Sequence, residues 1–252
     1  MQKTKQLPTR QRIRRALLLL SLLLFPITLY YFSPALIIQG SADGIITGSF
    51  IVFALMFLGA LFLGRLWCGW ACPAGGLQEI AMPINNKRAP RKRLRWIKWA
   101  IWLPWIGLIA ATVVGAGGYA RVNPTYQIDG GLTLLQENPP WFAVYYFILA
   151  LFLLPAIVLG RRSACHTLCW MAPFMILGRK VRNVLRWPAL RLTADEESCI
   201  NCQRCTQACP MSLEVNDLVH QESMEHVDCI LCGECADTCP KDVIHYTFSA
   251  GR

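Results

Sequence analysis

Eight cysteines towards the end of the chain fall into two runs of one pattern. Cys199-Ile-Asn-Cys202-Gln-Arg-Cys205-Thr-Gln-Ala-Cys209-Pro210 is followed by Cys229-Ile-Leu-Cys232-Gly-Glu-Cys235-Ala-Asp-Thr-Cys239-Pro240. Three thiolates at intervals of three residues can wrap three irons of one cubane from a tight loop, and the fourth iron must be reached from elsewhere. Zinc favours paired Cys-x-x-Cys units and four ligands in total, which two full runs of four fit poorly. Pro210 and Pro240 lack an N–H and fix φ, which helps turn the chain away after the last ligand. Gly233 allows close backbone approach to a cluster. The expected cofactors are two 4Fe–4S clusters. With every iron capped by thiolate, their chemistry is electron relay.

The other four cysteines form two pairs, Cys68-Gly-Trp-Ala-Cys72-Pro73 and Cys165-His-Thr-Leu-Cys169-Trp170. Residues four apart share a helix face, so each pair can offer two thiolates in one direction. Together they can make a tetrathiolate site for a third cluster, iron or zinc, with His166 as a substitute ligand. A reversible dithiol couple and small buried apolar residues at helix ends are the readings this spacing leaves open.

The elements that must carry these residues are apolar. Of 252 residues 54% are hydrophobic and only 16% charged, against about 25% charged in an ordinary soluble domain. A helix needs about 20 mostly apolar residues to cross a bilayer, and four segments come close: Ala16–Phe32, Ile45–Leu66, Trp96–Gly118 and Trp141–Gly160. The first follows a basic stretch, but no small-x-small cleavage site follows it, so it reads as an uncleaved anchor. The expected fold is an α-helical membrane part of four spans in two repeated hairpins, residues 1–191. A small α+β two-cluster ferredoxin domain, residues 192–252, completes it.

Charge divides at the same place. Residues 192–252 hold 3 basic and 11 acidic side chains; residues 1–191 hold 22 basic and 4 acidic. The basic residues flank apolar spans, which argues for membrane topology and against nucleic acid. They gather before span one (Lys3, Lys5, Arg10, Arg12, Arg14, Arg15), between spans two and three (Lys87, Arg88, Arg91, Lys92, Arg93, Arg95), and after span four (Arg161, Arg162, Arg179, Lys180, Arg182, Arg186). By the positive-inside rule both termini are cytoplasmic, and every cysteine lies on the reducing side. The acidic tail can contact the basic loops or a soluble donor's basic patch. Tryptophans 67, 70, 96, 99, 102, 105, 141 and 170 cluster near span ends, as interfacial anchors do.

A weak internal repeat is also present. Leu63-Gly64-Arg65 and Leu159-Gly160-Arg161 each precede a cysteine pair. Two hairpins of like orientation suggest a repeat about the membrane normal, which would bring Cys68 and Cys72 towards Cys165 and Cys169.

The segment of roughly Asp195–Phe248 resembles the two-cluster bacterial ferredoxins. That resemblance implies that the fourth cysteine of each run ligates the other cluster: Cys199, Cys202, Cys205 and Cys239 hold one, and Cys209, Cys229, Cys232 and Cys235 the other. Nearly the whole chain resembles the NapH-type membrane ferredoxins, which are similar to the C-terminal part of the NosR-type proteins and to the copper reductase of cytochrome oxidase assembly. The family pattern places Pro after the last cysteine of each pair. Pro73 matches, whereas Trp170 stands at the second position and Pro173 comes later. The resemblance implies electron transfer in the cytoplasmic membrane of a bacterium or archaeon, to or from a membrane redox partner or the quinone pool. An enzyme with its own site at the cysteine pairs, oxidising quinol or reducing a metal ion, and a redox-sensing or assembly protein are the competing classes. Quinol chemistry would need a proton acceptor such as Glu79 or His166; metal-ion reduction would need the pairs exposed.

Overall fold

The computed structural model describes residues 7–90, 94–128, 141–221 and 224–250. Lys3, Lys5, Arg91, Lys92, Arg93, Asp129 and Glu137 lie outside them. Helix α1 (Thr9–Leu23) carries the first basic run into apolar sequence. It does not continue as one span. Pro26 sits in the first turn of α2 (Phe25–Thr28), where it cannot donate a helical hydrogen bond. The chain bends by 58° before a 3-10 turn ending at Phe32. The first expected span is therefore broken.

Helix α3 (Pro34–Ala42) starts at Ser33, whose hydroxyl accepts from the Leu36 N–H at 3.4 Å, an N-cap of the usual type. Strand β1 (Ile45–Thr47) leads into α4 (Gly48–Leu63), capped the same way by Thr47. Its 16 residues rise about 24 Å at 1.5 Å each, short of the roughly 30 Å hydrocarbon core. After α5 (Leu66–Trp70) and α6 (Pro73–Ala81) come the two long apolar helices, α7 (Ile97–Gly115) and α8 (Trp141–Leu159). Strand β2 (Arg121–Asn123) lies between them and pairs in parallel with β1. Among the described residues two helices are long and apolar enough to cross a membrane, or three if the bent pair counts as one span.

Two short helices follow α8: α9 (Ser163–Thr167) and α10 (Ala172–Val184). Helix α10 buries Met175, Ile176, Arg179 and Arg182 on one side, and packs so closely on α4 that a Cβ at Gly178 would lie 2.6 Å from the Phe57 carbonyl oxygen. The tail then begins with β3 (Ala189–Ala194), paired antiparallel with the last strand, β4 (Ile244–Ser249). Between them lie α11 (Arg204–Ala208), α12 (Val215–Val219) and α13 (Glu234–Thr238).

The tail is not tethered loosely to the helices. Its buried side chains, Met211, Ile230, Leu231 and Cys232 among them, join one core with Phe53, Cys68, Met175 and Phe152.

Candidate functional site

The two cysteine runs adopt one backbone pattern 30 residues apart. Asn201, Gln203 and Ser212 have positive φ, as do Leu231, Gly233 and Asp242. These left-handed turns curl each loop so that its first three cysteines face a common centre. Only one of the six positions is glycine, and the structure gives its reason. A Cβ on Gly233 would lie 2.8 Å from the Tyr246 hydroxyl and 3.2 Å from Arg10 Nε. A side chain there would have to displace Tyr246 or Arg10, on a backbone whose φ of +79° already favours glycine.

One cavity in the tail is lined by Cys209, Cys229, Cys232 and Cys235 with apolar Leu192, Met211 and Leu213. A second is lined by Cys199, Cys202, Cys205 and Cys239. Each thus draws three cysteines from one run and the fourth from the other. Four thiols around one cavity in an apolar wall are a donor set that fits a 4Fe–4S group. Burial pushes the Cys209 thiol up to about 11 and raises Cys232 and Cys235 as well. Apolar surroundings disfavour a free thiolate, and a bound metal restores it.

The cysteines that line the two cavities differ in exposure. Cys202 is exposed, whereas Cys209, Cys232 and Cys235 are buried. The inner loop is held from the helical part through its backbone carbonyls. Gln11 donates to Cys232 O at 3.0 Å, Trp70 Nε1 to Leu231 O at 2.9 Å, and Arg179 to Cys229 O at 2.8 Å. A Cβ on Gly69 would fall 2.3 Å from Ile230 O, so the α5 backbone touches the tail directly. Trp70, which the sequence suggests as an interfacial anchor, therefore makes a docking contact to the tail.

Ion pairs complete this junction. Asp228 is fully buried between Lys98 at 2.9 Å and Arg65 at 3.3 Å. Burial opposes its charge, yet Lys98 and Arg65 hold its carboxyl below the usual carboxylate range. Glu225 accepts from Arg179 at 2.6 Å and Arg182 at 3.0 Å. Burial is again outweighed, and its carboxyl falls to about 2. Arg14 reaches Glu79 at 2.7 Å and Glu234 at 2.8 Å; Arg10 meets Asp237. Arg14, Arg162, Arg179 and Arg182, which the sequence suggests only as topology signals, have almost no exposed surface. Their neighbours in the runs, Arg12, Arg15 and Lys180, carry no such burial.

Cys68, Cys72, Cys165 and Cys169 all lie at the foot of this junction, each at most 5% exposed and none in a disulfide. Cys68 and Cys165 sit within α5 and α9; Cys72 and Cys169 follow those helices. Pro73 opens α6 directly after Cys72, and Pro173 stands in the first turn of α10, which begins at Ala172. The shifted proline therefore serves the same helix start. Burial pushes the Cys169 thiol up to about 12. His166 is buried in α9. Among the described residues no three Cys, His, Asp or Glu side chains converge as ligands of a single metal ion. The burial of the four thiols counts against a labile metal-ion reductase site. Glu79 counts against quinol chemistry: burial opposes its charge, but Arg162 and Arg14 hold it below the ordinary range, leaving a poor proton acceptor at neutral pH.

Sequence reasoning noted Arg65 only as part of the repeat and missed Gln78, Glu225 and Asp228. The signal for Asp228 was its place directly before Cys229; for Gln78, nothing in the sequence marks it.

Comparison with known proteins gives two family matches. A 4Fe-4S binding domain matches residues 45–92, and a 4Fe-4S dicluster domain matches residues 198–244. The methylamine utilization ferredoxin-type protein MauN of Methylobacillus flagellatus is 28% identical over 190 residues, 69% of this chain and 60% of MauN. The regulatory protein NosR of Pseudomonas aeruginosa is 28% identical over 170 residues, 64% of this chain and 22% of NosR. Protein RdxA of Cereibacter sphaeroides is 24% identical over 185 residues, 64% of this chain and 38% of RdxA. The chain thus spans less than two thirds of the length of these relatives. No solved structure matches it.

Proposed function

We propose that this chain, a NapH/NosR-like 4Fe–4S membrane ferredoxin, passes electrons between a cytoplasmic partner at the exposed end of its tail and a membrane partner or the quinone pool at the other. The observation that carries this reading is the docked tail, with Cys202 exposed at one cysteine-lined cavity and the loop of the other hydrogen-bonded to the helical part. Cys199, Cys202, Cys205 and Cys239 would hold the outer cluster; Cys209, Cys229, Cys232 and Cys235 would hold the inner one. Each cluster supplies a one-electron couple when bound.

The chain's own residues supply the geometry. Exposed Cys202 opens the outer site to a soluble protein. Gln11, Trp70 and Arg179 fix the inner loop by its carbonyls, so the inner site cannot drift from the membrane edge. The buried pairs at Asp228 and Glu225 hold the acidic tail on the basic helical part.

The reading also includes four spans in two hairpins, residues 1–191, with the two-cluster domain at 192–252 and both termini cytoplasmic. The basic runs support it; in it α4 and the bent α1–α2 pair reach across together with their flanking residues. The test is spectroscopic. A water-soluble paramagnetic relaxing agent added to anaerobically reduced membranes should broaden the EPR signal lost in Cys202→Ser far more than the signal lost in Cys232→Ser. Equal broadening of both signals contradicts an inner and an outer site.

A further inference from the structure

The match to a 4Fe-4S binding domain over residues 45–92 contains only two cysteines, Cys68 and Cys72. Two thiols are half the ligand set of a cluster held entirely by cysteine. The fold brings up the other half. Arg162, Cys165, Cys169 and Met175 follow Arg65, Cys68, Cys72 and Gln78 by 97 positions in every case. Both sets are built alike: a long helix (α4, α8), a glycine of positive φ (Gly64, Gly160), a fully buried arginine, a five-residue helix with the first cysteine, the second cysteine, and a further helix (α6, α10).

The two sets brace each other crosswise. Gln78 on α6 donates from Nε2 to Cys165 Sγ at 3.2 Å, while its counterpart Met175 on α10 meets Cys68 Sγ at 3.8 Å. Each half thus touches the first cysteine of the other, as a pseudo-twofold arrangement requires. The counterpart arginines add positive charge. Arg65 Nη2 lies 3.9 Å from Cys68 Sγ, and Arg162 Nη1 donates to Cys68 O at 2.6 Å. Four buried thiolates need such compensation. Zinc would draw four sulfurs to about 2.3 Å from one centre, and these thiols show no single-ion convergence. A cubane spreads them over four irons.

We propose that Cys68, Cys72, Cys165 and Cys169 together ligate a third 4Fe–4S cluster, two ligands from each half of the repeat, with Arg65 and Arg162 offsetting its charge. The site is thereby complete only when both halves are present.

The experiment counts iron and acid-labile sulfide in the full chain purified anaerobically in detergent. Wild-type protein should hold about twelve of each, four per cluster. Cys68→Ala and Cys165→Ala, one from each half, should each lose the same four and keep both tail EPR signals, which also shows that the variants fold. A second protein, carrying Cys199→Ala and Cys229→Ala, removes the tail sites and should retain about four iron. About eight iron in the wild type, a zinc ion in place of the extra four, or a disulfide within either pair overturns the proposal. So does loss of iron in only one of the two single variants. None of those results bears on the tail sites, which the EPR signals report separately.

Discussion

Arg65 Nη1 lies 3.3 Å from Asp228 Oδ1, and the same guanidinium turns its Nη2 to Cys68 Sγ at 3.9 Å. Asp228 directly precedes Cys229. One buried side chain therefore spans from the inner tail loop to Cys68 of the paired cysteines. Asp228 pairs with two cations, Arg65 and Lys98. Asp228→Asn leaves Lys98 buried without its counter-charge and takes one carboxylate from Arg65, at a cost of about 3–5 kcal/mol. The expected outcome is a sharp fall in folded protein, partly recovered by adding Lys98→Met. Detergent-purified yield and thermal midpoint measure it; an unchanged midpoint would remove Asp228 from the junction.

Gly69 tests the contact without touching a charge. Gly69→Ala places a methyl group 2.3 Å from the Ile230 carbonyl oxygen, where backbone must give way, for about 1–3 kcal/mol. Tail iron should stay unchanged, because every tail cysteine is untouched, while limited proteolysis should release the tail sooner. Equal protease resistance would show that the close approach is not needed.

Glu225 gives a pH signature. Its folded-state value of about 2 lies under the ordinary glutamate value of about 4.3. The stability it contributes is therefore complete above pH ~4.3 and is lost as pH falls towards 2. The gap in thermal midpoint between wild type and Glu225→Gln should be constant from pH 6 to 8 and shrink only below that unfolded value. A gap that changes between pH 6 and 8 would mean another group carries the effect.

Topology has its own test. A cytoplasm-dependent reporter fused after Arg252 should be active, and a periplasm-dependent reporter placed in the 123–138 loop should be active too. The opposite pair of results would put the cysteines in an oxidising compartment.

Spacing made the tail cysteines legible, because a metal centre dictates ligand intervals directly. Charge counting separated the acidic tail from the basic helices for a similar reason. The bend after Leu23 was marked only by Pro26, which a helix also tolerates inside a membrane, as Pro104 and Pro155 show in α7 and α8. Helix α10 was hidden because its buried side includes Arg179 and Arg182, which read as polar until Glu225 is placed beside them. The split of the arginines into buried and exposed depends on partners 40 to more than 200 positions away, such as Glu225 for Arg182 and Glu234 for Arg14. No local pattern carries that.

The central claim is that the tail delivers electrons through its docked face. It is tested most directly by the reoxidation rate of the reduced tail sites, normalised to tail iron, in membranes that contain the redox partner. Compared with wild type, Gly69→Ala and Cys169→Ser should both hold full tail iron and reoxidise markedly more slowly. Normalised rates equal to wild type in both variants would contradict the account.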